Sequence, residues 1–521
     1  MSTLLTLLEG AGDASREAVV VAETGASYSY TRLSELVAKF RDTLRDRLGV
    51  AKGDVVASSF LNGLEFVVTF VGTGAARAIA APLNPAYTTS EYDFYLSDTK
   101  PVVLLLPATT DVASHPALKA AKQHDVRVVT FQVKGDDFVL NDVLASSKSV
   151  KQVTDKSAPT PSDVGLVLHT SGTTGRPKSV PLSHANLLAT TRNIVQTYSL
   201  TQNDRSYLVM PLFHVHGLLA GLLAPLRSGG AIIIPAKFSA ARFWKDFTDY
   251  KATWYTAVPT IHTILLSTPL PQPLPKIRFI RSCSSSLAPS TLYKLEETFH
   301  APVLEAYAMT EAAHQMTSNI AGKRVPGTVG VGVGVEISVR DDKGNELSKG
   351  KEGEVCVRGE NVTAGYWENE KANKESYWAG RWFRTGDQGR IHESGNLQLT
   401  GRIKELINRG GEKISPLEID SALLAIDEVV EAVCFGVEDA KYGEVVWAGV
   451  VLKGGSEGGP DVEKRIQTAL KGKLSKFKIP ERIVFTKAIP KTATGKIQRR
   501  HVRDAFVAQV KAAGQPTKAK L

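Results

Sequence analysis

Cysteine is scarce: only Cys283, Cys356 and Cys434 occur in 521 residues, widely separated, with no CxxC pair and no plausible histidine metal partner nearby. A disulfide framework and a zinc site are therefore not expected. Neither sign of charge dominates. Lys and Arg number 63 against 53 Asp and Glu, and a formal net charge of +10 over so long a chain suits anionic ligands without being a nucleic-acid-binding signature. Low-complexity tracts and a repeat period are missing too, and 43% hydrophobic with 22% charged residues is the composition of a folded globular protein. At roughly 150 residues per domain the length suggests three or more compact units, or fewer if one is a large α/β fold. The opening MSTLLTLLEGAGDASRE has one short apolar run, no preceding basic residue and early acids, so no secretory signal is expected and the chain should stay inside the cell. Residues 206–226 contain no Asp, Glu, Lys or Arg, long enough in principle for a membrane span, but Pro211, His214, His216 and Pro225 within them predict a buried core segment instead.

What is present is an alternation. Strand-like DVVASSF, helix-like LEFVVTFVGTGAARA and strand-like IAAPLN follow one another between residues 54 and 84, and the pattern recurs at VVLLLP and VRVVTF, predicting parallel sheets covered by helices. After a polar stretch, VGLVLH reads as a strand, the Gly/Thr-rich run as a loop, and SHANLLATTRNIVQ as a helix with Ser183 as its N-cap. Further strands are expected at AIIIPA, ATWYTAV, IRFIRS and PVLEAYAM, and ligand sites in open α/β sheets lie at such strand ends. From residue 327 short alternating runs separated by Gly, Asp and Asn predict an antiparallel β unit. Beyond about residue 401 the helix-like PLEIDSALLAI, two strands and a Lys-rich tail predict a small α+β domain.

The most informative stretch is TSGTTGRPK, residues 170–178. Glycines let the backbone approach an anion, hydroxyls of Ser171, Thr173 and Thr174 donate hydrogen bonds, and Lys178 adds charge, so the loop is built for phosphate. A Walker P-loop would need GK[ST] after four intervening residues, which this run lacks. In AYAMTEA, residues 306–312, Tyr307 offers a flat face for adenine, Thr310 a hydroxyl for phosphate, and Glu311 a hard oxygen ligand for Mg²⁺. In RTGD and GRIK, Asp387 can accept from both ribose hydroxyls and Arg402 can approach the same sugar.

Taken in order, TSGTTGRPK, AYAMTEA, RTGD, GRIKELINRGGEKI and PKTATGKIQRR resemble the motifs of the adenylate-forming superfamily, which includes acyl-CoA synthetases, adenylation domains of peptide synthetases and beetle luciferases. The resemblance spans nearly the whole chain. It implies an α/β fold: a large N-terminal AMP-binding domain of helix-covered sheets plus a β unit (residues 1–401), and a small mobile α+β C-terminal domain (residues 402–521). It implies an ATP site of Thr170, Ser171, Gly172, Thr173, Thr174, Gly175, Lys178, Tyr307, Asp387 and Arg402, with Glu311 holding Mg²⁺ and CoA as co-substrate. The catalytic set it implies is Lys496, Thr310, Glu311 and His214, Lys496 neutralising the charge that builds as carboxylate and α-phosphate approach. Lys404 would be the hinge about which the C-terminal domain turns after adenylation, presenting Gly410 and Gly411 toward CoA.

The acid pocket is expected from PLFHVHGLL, WYTAVPT, RSCSSSLAP and EAAHQM, where His214, His216, Arg281, Ser282, Ser284, Ser285, Ser286 and His314 cluster. A fatty or aryl acid would call for an apolar pocket, so a small, doubly charged acid fits better. FHVHGLLAGLL, WYTAVPTIH, FIRSCSSSLAP and AYAMTEAAH together are similar to the oxalate:CoA ligase branch of the superfamily, which implies oxalate as the acid, with His214, Ser284, Ser285 and His314 as its contacts. Ser285 stands where the plant form is expected to carry Ala, and GRPKSV where GxPKGV is common. A CoA ligase for another short or aromatic acid and a stand-alone carrier-loading enzyme share the ATP motifs, as does a luciferase-type oxygenase. A basic RNA-binding protein would explain the charge but not the ordered motifs. The terminal Ala519, Lys520 and Leu521 approach the SKL address read by the peroxisomal import receptor, so a peroxisomal location is expected, or otherwise the cytoplasm.

Overall fold

The computed structural model describes residues 3–9, 12–108, 111–147, 149–170, 177–455, 458–492 and 497–512. Among these, four sheets organise the chain. The continuous apolar runs predicted as strands are buried on both faces, which is what parallel pairing under helices demands. In the first sheet Val55–Ser58 lies between Val103–Pro107 and Ile79–Pro82, all parallel, and Val164–Thr170 continues beside Ile79–Pro82. A nine-stranded sheet carries a parallel centre of Ala231–Ile234, Arg205–Leu208, Trp254–Ala257, Phe279–Cys283 and Val303–Met309. His314–Ser318 closes one side of that centre by turning back antiparallel on Val303–Met309. The helix Leu64–Ala75 is buried along nearly its full length, packed on Tyr30–Asp46 so closely that a Cβ at Gly72 would sit 2.6 Å from the Phe40 ring.

The loop expected between a strand and a helix is different. Lys178–Ser183 forms a strand antiparallel to Val164–Thr170, and Thr170 and Lys178 are the last cross-strand pair. The helix His184–Tyr198 begins only after this second strand, with Ser183 and Asn186 forming its capping box. The expected passage from the loop directly into the helix is corrected accordingly: a second strand intervenes. Ser171, Gly172, Thr173, Thr174 and Gly175 lie outside the described residues.

The predicted β unit is present: Glu336–Arg340, Gly353–Arg358, Trp382–Ile391 and Leu397–Arg402 pair antiparallel in succession. The C-terminal sheet pairs Val429–Asp439 with Gly443–Leu452 antiparallel and adds Arg482–Phe485 parallel. Alternation along Gly443–Leu452 sends Val446, Ala448 and Val450 toward the helices Pro416–Leu424 and Pro460–Leu470, while Val445 and Trp447 pack on Arg499–Ala512. Residues 206–226 fold into the end of Arg205–Leu208, a wide π-helical segment His216–Leu223 and the short helix Ala224–Arg227, all buried in the core. Among the described residues no helix is long and apolar enough to cross a membrane. All three cysteines are free and buried.

Candidate functional site

The carboxyl ends of the parallel strands in the nine-stranded sheet collect the polar residues. Strand Val303–Met309 runs into a single helical turn, Thr310–Ala312, and then reverses. The reversal needs left-handed backbone at Ala313 (φ +46°) and His314 (φ +95°), conformations that cost a non-glycine residue roughly 1–3 kcal/mol and are held only where surroundings insist. Glu311 is carried inward on this turn to 6% exposure. The Tyr366 hydroxyl donates to its Oε1 at 2.8 Å, and the Lys178 ammonium lies 4.5 Å over the Tyr366 ring. Burial raises the Glu311 carboxyl above its ordinary range, opposed by the Tyr366 hydrogen bond and by the charges of Arg402 and Lys178. Half-buried Thr310 sits at the head of the same turn.

A second group lies across the β unit. Asp387 and Arg402 are directly paired between Trp382–Ile391 and Leu397–Arg402. Arg402 Nε donates to Asp387 Oδ1 at 3.0 Å, and the Tyr307 hydroxyl donates to Asp387 Oδ2. Tyr307, though only 8% exposed, is thus tied by its hydroxyl to the aspartate that sequence reasoning assigned to the sugar. Burial first, then the neighbouring Asp387 charge, pushes its hydroxyl pKa far up, so it remains a donor.

The third group is built on residues 281–284, on the π-helical segment and on His314. Ser284 adopts φ +76°, and its Oγ lies 3.0 Å from His216 Nδ1. His216 Nε2 lies 2.6 Å from Thr256 Oγ1, and the His216 ring stacks on His314 with centroids 5.2 Å apart and planes 23° apart. Arg281, fully buried, reaches the same place. His214 is half-buried, and its Nδ1 accepts the His216 backbone N–H at 3.2 Å. Ser285 is exposed in the loop after the strand, beside Ser284 in sequence only.

The remaining candidates lie apart. Lys404 is exposed on the turn Ile403–Glu405, and Gly410 and Gly411 form the exposed tip of the hairpin between Ile407–Arg409 and Glu412–Ile414. Both glycines have positive φ, +60° and +94°. Lys496 and residues 519–521 are outside the described residues. Three residues beyond Lys496, Arg499 pairs with half-buried Asp420 at 2.5 Å and with Glu405 at 3.3 Å, tying Arg499 to the junction.

Several participants were missed from sequence. Tyr366 and Tyr198 carry no local motif and reach the site only through the fold, while Thr256 and Gln315 lie within the pocket segments WYTAVPT and EAAHQM without being singled out there. Asp98 is another: its Oδ2 lies 2.8 Å from His169 Nε2 and accepts from Ser179, so the paired ends of Val164–Thr170 and Lys178–Ser183 are pinned to the helix Thr89–Thr99. The polar strand end HTSG was the one available signal.

Residues 9–367 match the family model described as AMP-binding enzyme, and residues 418–496 match the AMP-binding enzyme C-terminal domain. The chain is 48% identical to the oxalate–CoA ligase of Saccharomyces cerevisiae over 515 residues, covering 94% of each chain. It is also 48% identical to the oxalate–CoA ligase of Arabidopsis thaliana over 489 residues, covering 92% of this chain and 93% of that one. The crystal structure of ATP-bound MatB from Rhodopseudomonas palustris superposes with a TM-score of 0.86 at 30% identity, over 97% of this chain and 99% of the other. A helix-covered α/β body with a smaller C-terminal sheet, carrying these polar groups at its strand ends, thus has its counterpart in known proteins, and the chain belongs to the AMP-binding, adenylate-forming enzyme family.

Proposed function

We propose that this chain is an AMP-forming acid–CoA ligase whose acid is oxalate. The observation that carries the choice of acid is the polar group of buried Arg281, His216 and His314 with half-buried Ser284, which would leave hydrogen-bonding groups unmatched around an alkyl or aryl acid and gives donors to a second carboxylate. The names of the yeast and Arabidopsis relatives support the same acid. In the first step a carboxylate oxygen of oxalate attacks the α-phosphorus of ATP, the bond to the β-phosphate oxygen breaks and pyrophosphate leaves. In the second, the CoA sulfur attacks the activated carbonyl carbon, AMP departs with the bridging oxygen, and the thiol proton is lost.

The loop of Thr170, Ser171, Gly172, Thr173, Thr174, Gly175 and Lys178 would cradle the phosphates, with Thr310 beside them. Tyr307 would face the adenine, and Asp387, oriented by Tyr307 and Arg402, would take the ribose hydroxyls. His214, Ser284, Ser285 and His314 would receive the acid. Glu311 fits a magnesium ion: it is a buried carboxylate facing cations, raised by desolvation, and a bound cation would relieve that cost. Among the described residues no cluster of three or more His, Cys, Asp or Glu could cage a metal, so Mg²⁺ would rest on Glu311 and nucleotide oxygens, its usual mode with ATP. When bound it supplies positive charge against the triphosphate.

We divide the chain at residues 401 and 402, with Lys404 as hinge, Gly410 and Gly411 turning toward CoA and Lys496 serving adenylation alone. Ala519, Lys520 and Leu521 would be read by the peroxisomal import receptor. The test is ATP- and CoA-dependent AMP release with oxalate, malonate, acetate, a medium-chain acid and a coumarate. Oxalate should give the highest kcat/KM; a higher value for the medium-chain acid or the coumarate overturns the assignment.

A further inference from the structure

Arg281 is a buried cation whose described partners are all uncharged side chains rather than carboxylates. Its side chain is fully enclosed in the middle of strand Phe279–Cys283. Nε donates to the Tyr198 hydroxyl at 2.8 Å, Nη2 to Gln315 Oε1 at 3.3 Å, and Nη1 to Thr256 Oγ1 at 3.2 Å, with His216 Nε2 3.4 Å from the same Nη1. Among the described residues no Asp or Glu forms an ion pair with it. Burying a charge without a counter-ion is costly, so a structure that keeps one has a use for the positive potential.

The guanidinium also sets the direction of every hydrogen bond beyond it, because it has only N–H groups to offer. Thr256 Oγ1 must accept from Nη1. Its own hydrogen is then free to go to His216 Nε2, 2.6 Å away. A proton on Nε2 would face the N–H of Nη1, so Nε2 is the bare nitrogen and Nδ1 carries the proton. Nδ1–H then donates to Ser284 Oγ at 3.0 Å, which leaves the serine hydrogen pointing away from the relay. Gln315 is oriented by the same logic: its Oε1 faces Arg281 while its Nε2 donates to Thr197 at 2.9 Å. Two backbone-strained residues of the site, Ser284 and His314, flank His216, one bonded to the ring edge and one stacked on its face.

We infer that Arg281 is a positioning and specificity-determining residue that, through Thr256 and His216, fixes the Ser284 hydroxyl as a hydrogen-bond donor to the distal anionic group of the acid. It does not itself touch the acid. Its charge stands behind a relay whose last hydroxyl can only donate, an arrangement that favours a carboxylate over a methyl or ring. The inference rests on the oxalate reading and deepens it.

The experiment compares KM for oxalate with KM for ATP in wild type, Arg281→Met, His216→Asn and His216→Gln, with thermal unfolding as a check on folding. Asn places an amide N–H near the position of Nδ1 and can still donate to Ser284, whereas Gln reaches the Nε2 position and cannot. Arg281→Met and His216→Gln should raise KM for oxalate about tenfold or more and His216→Asn about threefold or less, all three leaving KM for ATP within about twofold. Should Arg281→Met fail to fold, the histidine pair decides alone. Oxalate and ATP KM values rising in step, or Gln performing as well as Asn, overturns the inference while the oxalate reading stands. A wild-type chain inactive on oxalate overturns the functional reading and the inference with it.

Discussion

His314 faces two demands at once, a left-handed backbone and a fully buried ring stacked on His216. If that ring helps hold the second carboxylate, His314→Ala should cost about 1–3 kcal/mol against oxalate and much less against acetate, which presents only a methyl there. The ratio of kcat/KM for the two acids measures it, and an equal loss for both would assign His314 to the adenylate or to the fold. Two other histidines act on stability instead. His184, whose Nδ1 accepts the Leu4 backbone N–H at 3.1 Å, is held by burial down to about 4, and His262 by burial down to about 3. Both stay neutral in the folded chain while an unfolded imidazole takes its proton near pH 6.5, so below that pH the unfolded state binds more protons and stability falls. Each should remove about 2 kcal/mol between pH 7 and 5. Glu305, pushed up by burial to about 8, gains stability over the same range and opposes them, so denaturant unfolding should show His184→Gln losing about 2 kcal/mol less than the wild type between pH 7 and 5.

At the scale of elements, the π-helical segment His216–Leu223 owes its entry to Gly217. A Cβ there would lie 2.3 Å from the Pro211 carbonyl oxygen and 2.6 Å from that of Met210, backbone atoms that cannot step aside. Gly217→Ala should therefore destabilise the fold by about 1–3 kcal/mol and, by displacing His216, raise KM for oxalate more than KM for ATP. Thermal unfolding and paired KM measurements would show both effects. Such elements also mark the limit of what the sequence discloses. Strands such as Val103–Pro107 and helices such as His184–Tyr198 were legible because a continuous apolar run or a Ser cap is a local signal. Lys178–Ser183 was not, because Pro181 within it reads as a loop; it is tolerated only because this strand lies at the edge of its sheet. Within the site, Glu311, Asp387 and Lys178 were marked by their motifs, whereas Tyr366 and Tyr198 were not: their relevance is a meeting across 55 and 83 positions that no spacing rule encodes.

For the molecule as a whole, the proposed alternation of the C-terminal domain makes its two half-reactions separable. Lys496→Ala should slow adenylate formation about a hundred- to a thousandfold while sparing thioester formation from a supplied adenylate, read by pyrophosphate exchange and by CoA consumption respectively. Equal loss in both would contradict alternation. The Arg499 pairs with Asp420 and Glu405 mean that the segment following Lys496 is fastened to the junction, so any turn about Lys404 would carry both ends of the domain together. The three buried cysteines have a further consequence. A mixed anhydride of a carboxylic acid and AMP acylates any thiolate it meets, and Cys283 is the immediate neighbour of Ser284. With its sulfur enclosed, and with burial raising the thiols of Cys356 to about 12 and of Cys434 well above the usual thiol range, no cysteine of the chain is presented to the anhydride as a thiolate. Self-acylation at cysteine is prevented by lack of access, and the activated acid is kept for the thiol that arrives from outside.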